Sequence, residues 1–431
     1  MRLFNAGNLL LLLFCASSLA VAEPLTLDEA ERLALQHSPA FAASKKQVEA
    51  MASVPSQVGS LPDPKISMGA LNLPVDSMSL TKADMTQIQI GISQEIPFPG
   101  KLSLKKQIAE ELAKASASNT EGFRLLLIRN VRIYWWNIVY LDKALSIIKD
   151  NQTLLRNLVQ VSGAKYSTGK GLQQDVLLAQ LELSQLLDRE LALKAERSQN
   201  VSAINALMGR LVTTPIEIPN ELPSLVKELP SAERLSQFAH DNHPMIIGLK
   251  RKESAAEYGV SLAEKDYYPD FSLGAAYGFR QGVSPATGMR RSDLASVMLT
   301  MSLPIYTDSK QDKGLEQRKA EKAKVQYELQ DALLMIDSEI DALLSNLKST
   351  RDQLLLFETG IIPQARQTTA SMLAGYQVNK VDFLNLVRAQ LLEFNNDIQY
   401  WKLKTKAAQD EARLATSAGM ESLNKDGMNN E

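Results

Sequence analysis

Pro64-Lys65-Ile66-Ser67-Met68-Gly69-Ala70 recurs 205 positions later as Pro269-Asp270-Phe271-Ser272-Leu273-Gly274-Ala275. Both copies alternate apolar with small or polar residues, the period of a β-strand. Further along, Tyr166, Gly169, Asp175 and Ala179-Gln180-Leu181 return as Tyr376, Asn379, Asn385 and Ala389-Gln390-Leu391, shifted by 210. A repeat this long is a duplicated structural unit rather than a short solenoid motif. Alternating strands and long helical stretches follow one another in each half. The expected product is a mainly α chain that joins a β-barrel to an α-helical tube.

Two more segments alternate. Ile88, Ile90 and Ile92 interleave with Gln87, Gln89, Gly91 and Ser93, and Val297, Leu299, Met301 and Leu303 with Ser296, Met298, Thr300 and Ser302. The four predicted strands cover about 64–73, 86–97, 269–280 and 294–305, close to the roughly 9–11 residues that cross a bilayer at a tilt. Alternation alone also describes a half-buried sheet in a soluble domain. Tyr267, Tyr268 and Phe98 at the strand ends favour a membrane, because aromatic side chains gather at its interfaces. Four strands cannot close a pore, since the smallest outer-membrane barrels have about 8. Closure requires several chains, and three copies would supply twelve strands.

From Leu102 to Ser167 there is no proline, and Leu127, Val131, Tyr134, Ile138, Leu141, Leu145 and Ile148 mark one helical face. At 1.5 Å per residue such a helix is about 100 Å long, a length that implies coiled-coil packing. Helical hairpins are predicted over about 102–208 and 308–415, with Pro363 breaking or kinking the second. Their turns pass through Gly169 and Asn379, residue types suited to the left-handed conformation that ends a helix. Shorter helices over about 26–54 and 231–265, carrying Pro39 and Pro244, open the repeats. The first repeat is read as residues 23–210 and the second as 231–415. Residues 211–230 read as a connector and 416–431 as a disordered polar tail.

Residues 1–22 read as a secretory signal: Arg2, an apolar run from Leu9 to Phe14, then Ala20-Val21-Ala22 as cleavage site. Cys15 follows the bulky Phe14, which argues against lipidation, and it leaves with the signal, so no disulfide is expected. Removal of Arg2 leaves 46 basic against 49 acidic residues, with no basic stripe for nucleic acid. No later stretch reaches the roughly 20 apolar residues of a spanning helix.

These residues, with Leu27-Asp28-Glu29-Ala30 and Ala206-Leu207-Met208-Gly209-Arg210, resemble the TolC family of outer-membrane efflux proteins across about 24–415. The resemblance implies a homotrimer whose twelve-stranded barrel sits in outer-membrane lipid and continues as a twelve-helix tunnel across the periplasm. It also implies a periplasmic adaptor and an inner-membrane pump. Leu61-Pro62-Asp63-Pro64, Asn72-Leu73-Pro74-Val75-Asp76 and Ser93-Gln94-Glu95-Ile96-Pro97-Phe98-Pro99-Gly100-Lys101 are similar to members paired with resistance-nodulation-division pumps for heavy metals. The family's periplasmic gate maps onto Tyr376 with Asp175 as its acidic partner. The gate arginine falls on Val381 beside Lys380, and positions where some members carry aspartates fall on Asn385 and Arg388. Gly169 and Asn379 fall at the tips where an adaptor would dock.

The expected function is an exit duct for heavy-metal ions or drugs, with no enzymatic chemistry and no cofactor. No phosphate-cradling loop, zinc-protease signature or nucleophile elbow is present. His240, Asp241 and His243 lack a third strong ligand and read as solvated helix-end groups. Met68, Met78 and Met85 carry thioethers suited to Cu(I), but a methionine in an apolar strand is ordinarily packing. Tyr134, Trp135, Trp136 and Tyr140 at helical spacing read as helix–helix packing. A type I protein-secretion channel is the same-family alternative. A soluble periplasmic coiled-coil adaptor fits less well, since adaptors usually carry one hairpin.

Overall fold

The computed structural model describes residues 24–284 and 287–423; the signal segment, Cys15 and the tail beyond 423 lie outside them. The first repeat runs α1 (Leu27–His37), α2 (Pro39–Gly59), β1 (Lys65–Leu71), β2 (Gln87–Ile96), α3 (Lys101–Ser167) and α4 (Gln173–Leu207). The second runs α5 (Ala232–Asn242), α6 (Pro244–Lys265), β3 (Phe271–Phe279), β4 (Leu294–Met301), α7 (Gln311–Leu356), α8 (Ile362–Gln377) and α9 (Phe383–Ser417). A π-helical turn, Phe357–Ile361, joins α7 to α8.

The four strands form one antiparallel sheet in the order β1-β2-β3-β4. Register places Ile66, Ile92, Ala275 and Val297 in one row, and Met68, Ile90, Tyr277 and Ala295 in the next. These rows form an apolar outer face, on which Ile66 is 77% and Val297 81% exposed. The rows between them carry Ser67, Gly91, Ala276 and Ser296. That second face is built close: a Cβ on Gly91 would stand 2.9 Å from the Ser67 hydroxyl. Among the described residues β1 and β4 are bare edges of the sheet.

β2 runs into α3 through Pro97-Phe98-Pro99-Gly100, with Gly100 left-handed at φ 95°. Lys101 Nζ, almost fully buried, lies 3.1 Å from Asp266 and 3.0 Å from Asp270. The other oxygen of Asp270 accepts the Phe98 N–H at 2.7 Å, and the Phe98 ring stacks on Tyr268 at 4.5 Å. This joint locks the helix entry of the first repeat to the strand entry of the second.

Each predicted short helix is in fact two. The residue before a proline is pushed to an extended backbone, and Ser38 (ψ 116°) and His243 (ψ 124°) break the helices there. Both then cap the following helix: Ser38 Oγ accepts from Phe41 N–H at 3.5 Å, and His243 Nδ1 from Met245 N–H at 3.1 Å. Pro39 and Pro244 occupy first-turn positions, where the missing N–H costs nothing.

α3 is 67 residues long. The aromatic cluster on it is core, with Trp135 fully buried and donating its indole N–H to the Leu25 carbonyl at 2.9 Å. Pro363 neither breaks the outgoing helix nor leaves it regular. The turn before it widens, and Ile362 N–H bonds Phe357 O five residues back. Widening takes up a proline whose ring opposes the preceding carbonyl.

The helices α3, α4, α8 and α9 end alike. Gly169 (φ 72°), Gly209 (φ 65°), Asn379 (φ 57°) and Gly419 (φ 77°) are left-handed. The next N–H reaches back to form Lys170–Lys165, Arg210–Asn205, Lys380–Gly375 and Met420–Ala415 bonds of 2.8 to 2.9 Å. The caps pair by the 210-residue shift. A Cβ on Gly209 would fall 2.3 Å from the His37 carbonyl, and one on Gly419 2.7 Å from His243 Cα. The second repeat therefore runs to Met420, and the expectation of disorder from 416 fails for residues 416–423. α9 continues to Ser417, while Met420 and Leu423 are buried in the core of α5, α7 and α9. The Glu421 carboxylate pairs with Arg124 at 3.0 Å and its carbonyl accepts from Arg132 at 2.6 Å.

Burial holds the His243 imidazole below its ordinary pKa, against an opposing pull from the Glu339 carboxylate and a backbone bond with Thr416. A depressed pKa gives stability present above the ordinary value of about 6.5 and lost as pH falls through the folded value. Protonation also removes the Nδ1 acceptor that caps α6. The wild-type thermal midpoint should therefore fall between pH 7.5 and 5. His243→Asn, which caps without titrating, should fall less, the difference approaching the roughly 1 kcal/mol of an N-cap. Equal falls in both would dismiss this role.

Candidate functional site

The α3–α4 and α8–α9 hairpins meet at their tips. Lys165 sits in the last turn of α3, where a cation complements the helix dipole. Its ammonium crosses to the other hairpin, donating to Tyr376 O at 3.0 Å and Asn379 Oδ1 at 2.8 Å. It also lies 3.9 Å from the centre of the Tyr376 ring, on which it exerts a cation–π attraction.

Tyr376 is buried and tilted against Phe383, ring centres 5.5 Å apart. Burial pushes its phenol above the ordinary range, and the nearby Asp175 carboxylate adds to the rise. Asp175 is half-buried in the first turn of α4. The repeat mate of Tyr376, Tyr166, is instead 48% exposed. The first tip has Gln173 where the second has Phe383, so Tyr166 meets no ring there.

The remaining sequence-derived positions divide. Gly169 and Asn379 cap the two tips. Val381, where the resemblance expects arginine, packs against its own hairpin: a Cβ on Gly375 would lie 2.6 Å from Val381 Cγ2. Asn385 is engaged in the start of α9, giving its backbone N–H to Asp382 at 2.9 Å and its amide at 3.0 Å. Lys380 and Arg388 are exposed. Among the described residues no hydrogen bond or ion pair ties them to Tyr376 or Asp175. The tip thus assembles Tyr376, Asp175 and Asn379 with Lys165. Sequence reasoning missed Lys165 because its repeat mate is Gly375 and the repeat pattern does not mark it.

Outside the tips, His240 Nε2 pairs with Asp337 at 2.9 Å and His243 caps α6. Among the described residues no group of three His, Cys, Asp or Glu is arranged to hold a metal ion. Met68 lies opposite Ile90 on the apolar face of the sheet. No described helix is long and apolar enough to cross a membrane.

A four-stranded sheet with an apolar and a small-residue face, continued as two very long helical hairpins, defines a subunit of an outer-membrane channel with a helical tunnel. The chain matches the family described as outer membrane efflux protein over residues 31–210 and 235–420, and it belongs to that family. Both matched spans end one residue beyond a left-handed glycine. Among curated relatives, the cobalt-zinc-cadmium resistance protein CzcC of Cupriavidus metallidurans is 21% identical over 88% of this chain and 86% of its own. The alkaline protease secretion protein AprF of Pseudomonas aeruginosa is 24% identical over 66% of this chain and 60% of its own. The solved outer-membrane channel OprN superposes with a TM-score of 0.78 at 17% identity, covering 91% of this chain and 89% of that one.

Because the Tyr376 phenol is held protonated, its contribution to tip stability is present below the ordinary pKa of about 10 and is lost as pH rises through the raised value. The alkaline absorbance difference between wild type and Tyr376→Phe should have its midpoint above about 10. Asp175→Asn should lower that midpoint part of the way, since burial is the larger cause. A midpoint at or below the ordinary value would show the ring open to solvent.

Proposed function

We propose that three copies of this chain form the outer-membrane exit duct of a tripartite efflux system, taking substrate from a periplasmic adaptor and an inner-membrane resistance-nodulation-division pump. The observation that carries this is the open four-stranded sheet with two bare edges and an exposed apolar face. Backbone at membrane depth must be fully hydrogen-bonded, so β4 of one copy pairs with β1 of the next and twelve strands close the wall. The helical hairpins then form the tunnel, with their tips at the far end from the membrane. A soluble adaptor is disfavoured by the paired hairpins and the lipid-facing rows.

Heavy-metal ions are the favoured substrate class, by likeness to CzcC along most of both chains. The likeness to AprF favours a second reading, protein secretion, over a smaller share of the chain. Selection would reside mainly in the pump, and the duct supplies a low-barrier aqueous path with a gated end. In this reading Tyr376 and Asp175 belong to the periplasmic gate and Lys380, Asn385 and Arg388 line its entrance. Gly169 and Asn379 mark the tips that meet the adaptor.

Purified protein should require detergent, migrate as a trimer and conduct in planar bilayers. Asp175→Asn, which removes the charge near Tyr376, should raise conductance; Lys380→Met tests the entrance in the same assay. A strain lacking the protein should lose tolerance to zinc, cadmium or cobalt; lost protease secretion with intact tolerance would favour the second reading. A monomer that dissolves without detergent would overturn the duct itself.

A further inference from the structure

We infer that Lys165 is the bolt of the closed tip: a first-hairpin residue that holds the second hairpin's end inward, in place of the arginine that the second hairpin lacks. The inference rests on the channel reading above. One ammonium makes three contacts, and all of them go to the tip of the other hairpin: the Tyr376 carbonyl, the Asn379 amide oxygen and the Tyr376 ring. It bridges residues 211 and 214 positions away in sequence.

The paired caps show why this is more than helix-end packing. Both tips require a left-handed residue after the helix, and the first uses Gly169. The second uses Asn379, a non-glycine type that tolerates this backbone and adds an acceptor that glycine lacks. That acceptor is spent on Lys165 of the other hairpin. Gly375 stands at the position of Lys165 in the second repeat, so no reciprocal bolt exists. The hold therefore runs one way, from the first hairpin to the second. Val381 fits the same picture, since it packs on Gly375 and cannot reach across. Lys165 is thus a positioning residue: it touches no substrate and acts by fixing where Tyr376 and Asn379 stand. Its partners are a carbonyl, an amide oxygen and a π-face, and Asp175 enters only through its charge near Tyr376.

The test is time-averaged conductance of the full-length protein in planar bilayers, with thermal midpoints recorded in parallel. Lys165→Met keeps the apolar stem and deletes the charge, and should raise conductance roughly tenfold, the equivalent of one lost charge-assisted bond. Asn379→Gly keeps the left-handed turn and deletes the acceptor, and should move conductance the same way but less. The double variant should resemble Lys165→Met alone, because both changes remove one shared contact. Lys165→Arg, which can bond the same oxygens and stack on the ring, should return conductance to within about twofold of wild type. Wild-type conductance in Lys165→Met, or full additivity in the double variant, overturns the bolt while leaving the channel intact. Should Lys165→Met fail to assemble, Asn379→Gly with wild-type conductance overturns it equally. No current from wild type or any variant would remove the channel reading itself.

Discussion

Everything in this molecule answers to the unpaired backbone on the two outer strands of its sheet. Four strands have complete ladders between them, yet β1 and β4 each present an outer row of N–H and C=O groups with no neighbouring strand among the described residues. In water such edges invite aggregation, and in lipid they are intolerable. The rows of Ile66, Ile92 and Val297 point to an apolar medium, which excludes water as the remedy. In the proposed trimer, the matching edges of neighbouring copies meet both demands. The small residues on the opposite face follow from this, since Ser67, Gly91 and Ala276 leave the interior of a closed wall open.

Duplication then dictates most of the helical architecture. Each repeat feeds one strand pair into one hairpin, and the buried Lys101 joint with Asp266 and Asp270 binds the two feeds together. The helix ends keep the symmetry in backbone conformation at all four caps. They abandon it in side-chain chemistry at the tips. Tyr376 is enclosed by Phe383 and Lys165, whereas Tyr166 faces solvent. Equal folds with unequal tips allow one hairpin to serve as a fixed frame and the other as the part that is held.

Features governed by local pattern could be read directly from the sequence. Strand alternation identified the rows that register later aligned, and the Gly and Asn types at 169 and 379 announced left-handed turns. The family membership followed from those repeats. Features set by two or more distant segments could not be read. Lys165 acts on residues more than two hundred positions away, and nothing in its neighbourhood sets it apart from other helix-end lysines. The break at Ser38 depends on the residue before a proline, a preference weaker than the helical period around it. The polar look of residues 416–423 concealed Gly419, Met420 and Leu423, whose packing needs α5, α7 and the His243 corner to be in place.

The glycines at 209 and 419 carry a mechanical consequence. Each lies backbone-against-backbone on a helix corner, at His37 or His243, with no side chain between to yield. Neither returning helix can slide or roll at its base without prising main chains apart. Displacement at the distant end must therefore be absorbed along the length of α4 and α9, while the widened turn at 357–361 lies on the outgoing α7–α8 stretch beside them. The returning helices α4 and α9 are held at the root, so they flex as cantilevers do and not as hinged doors.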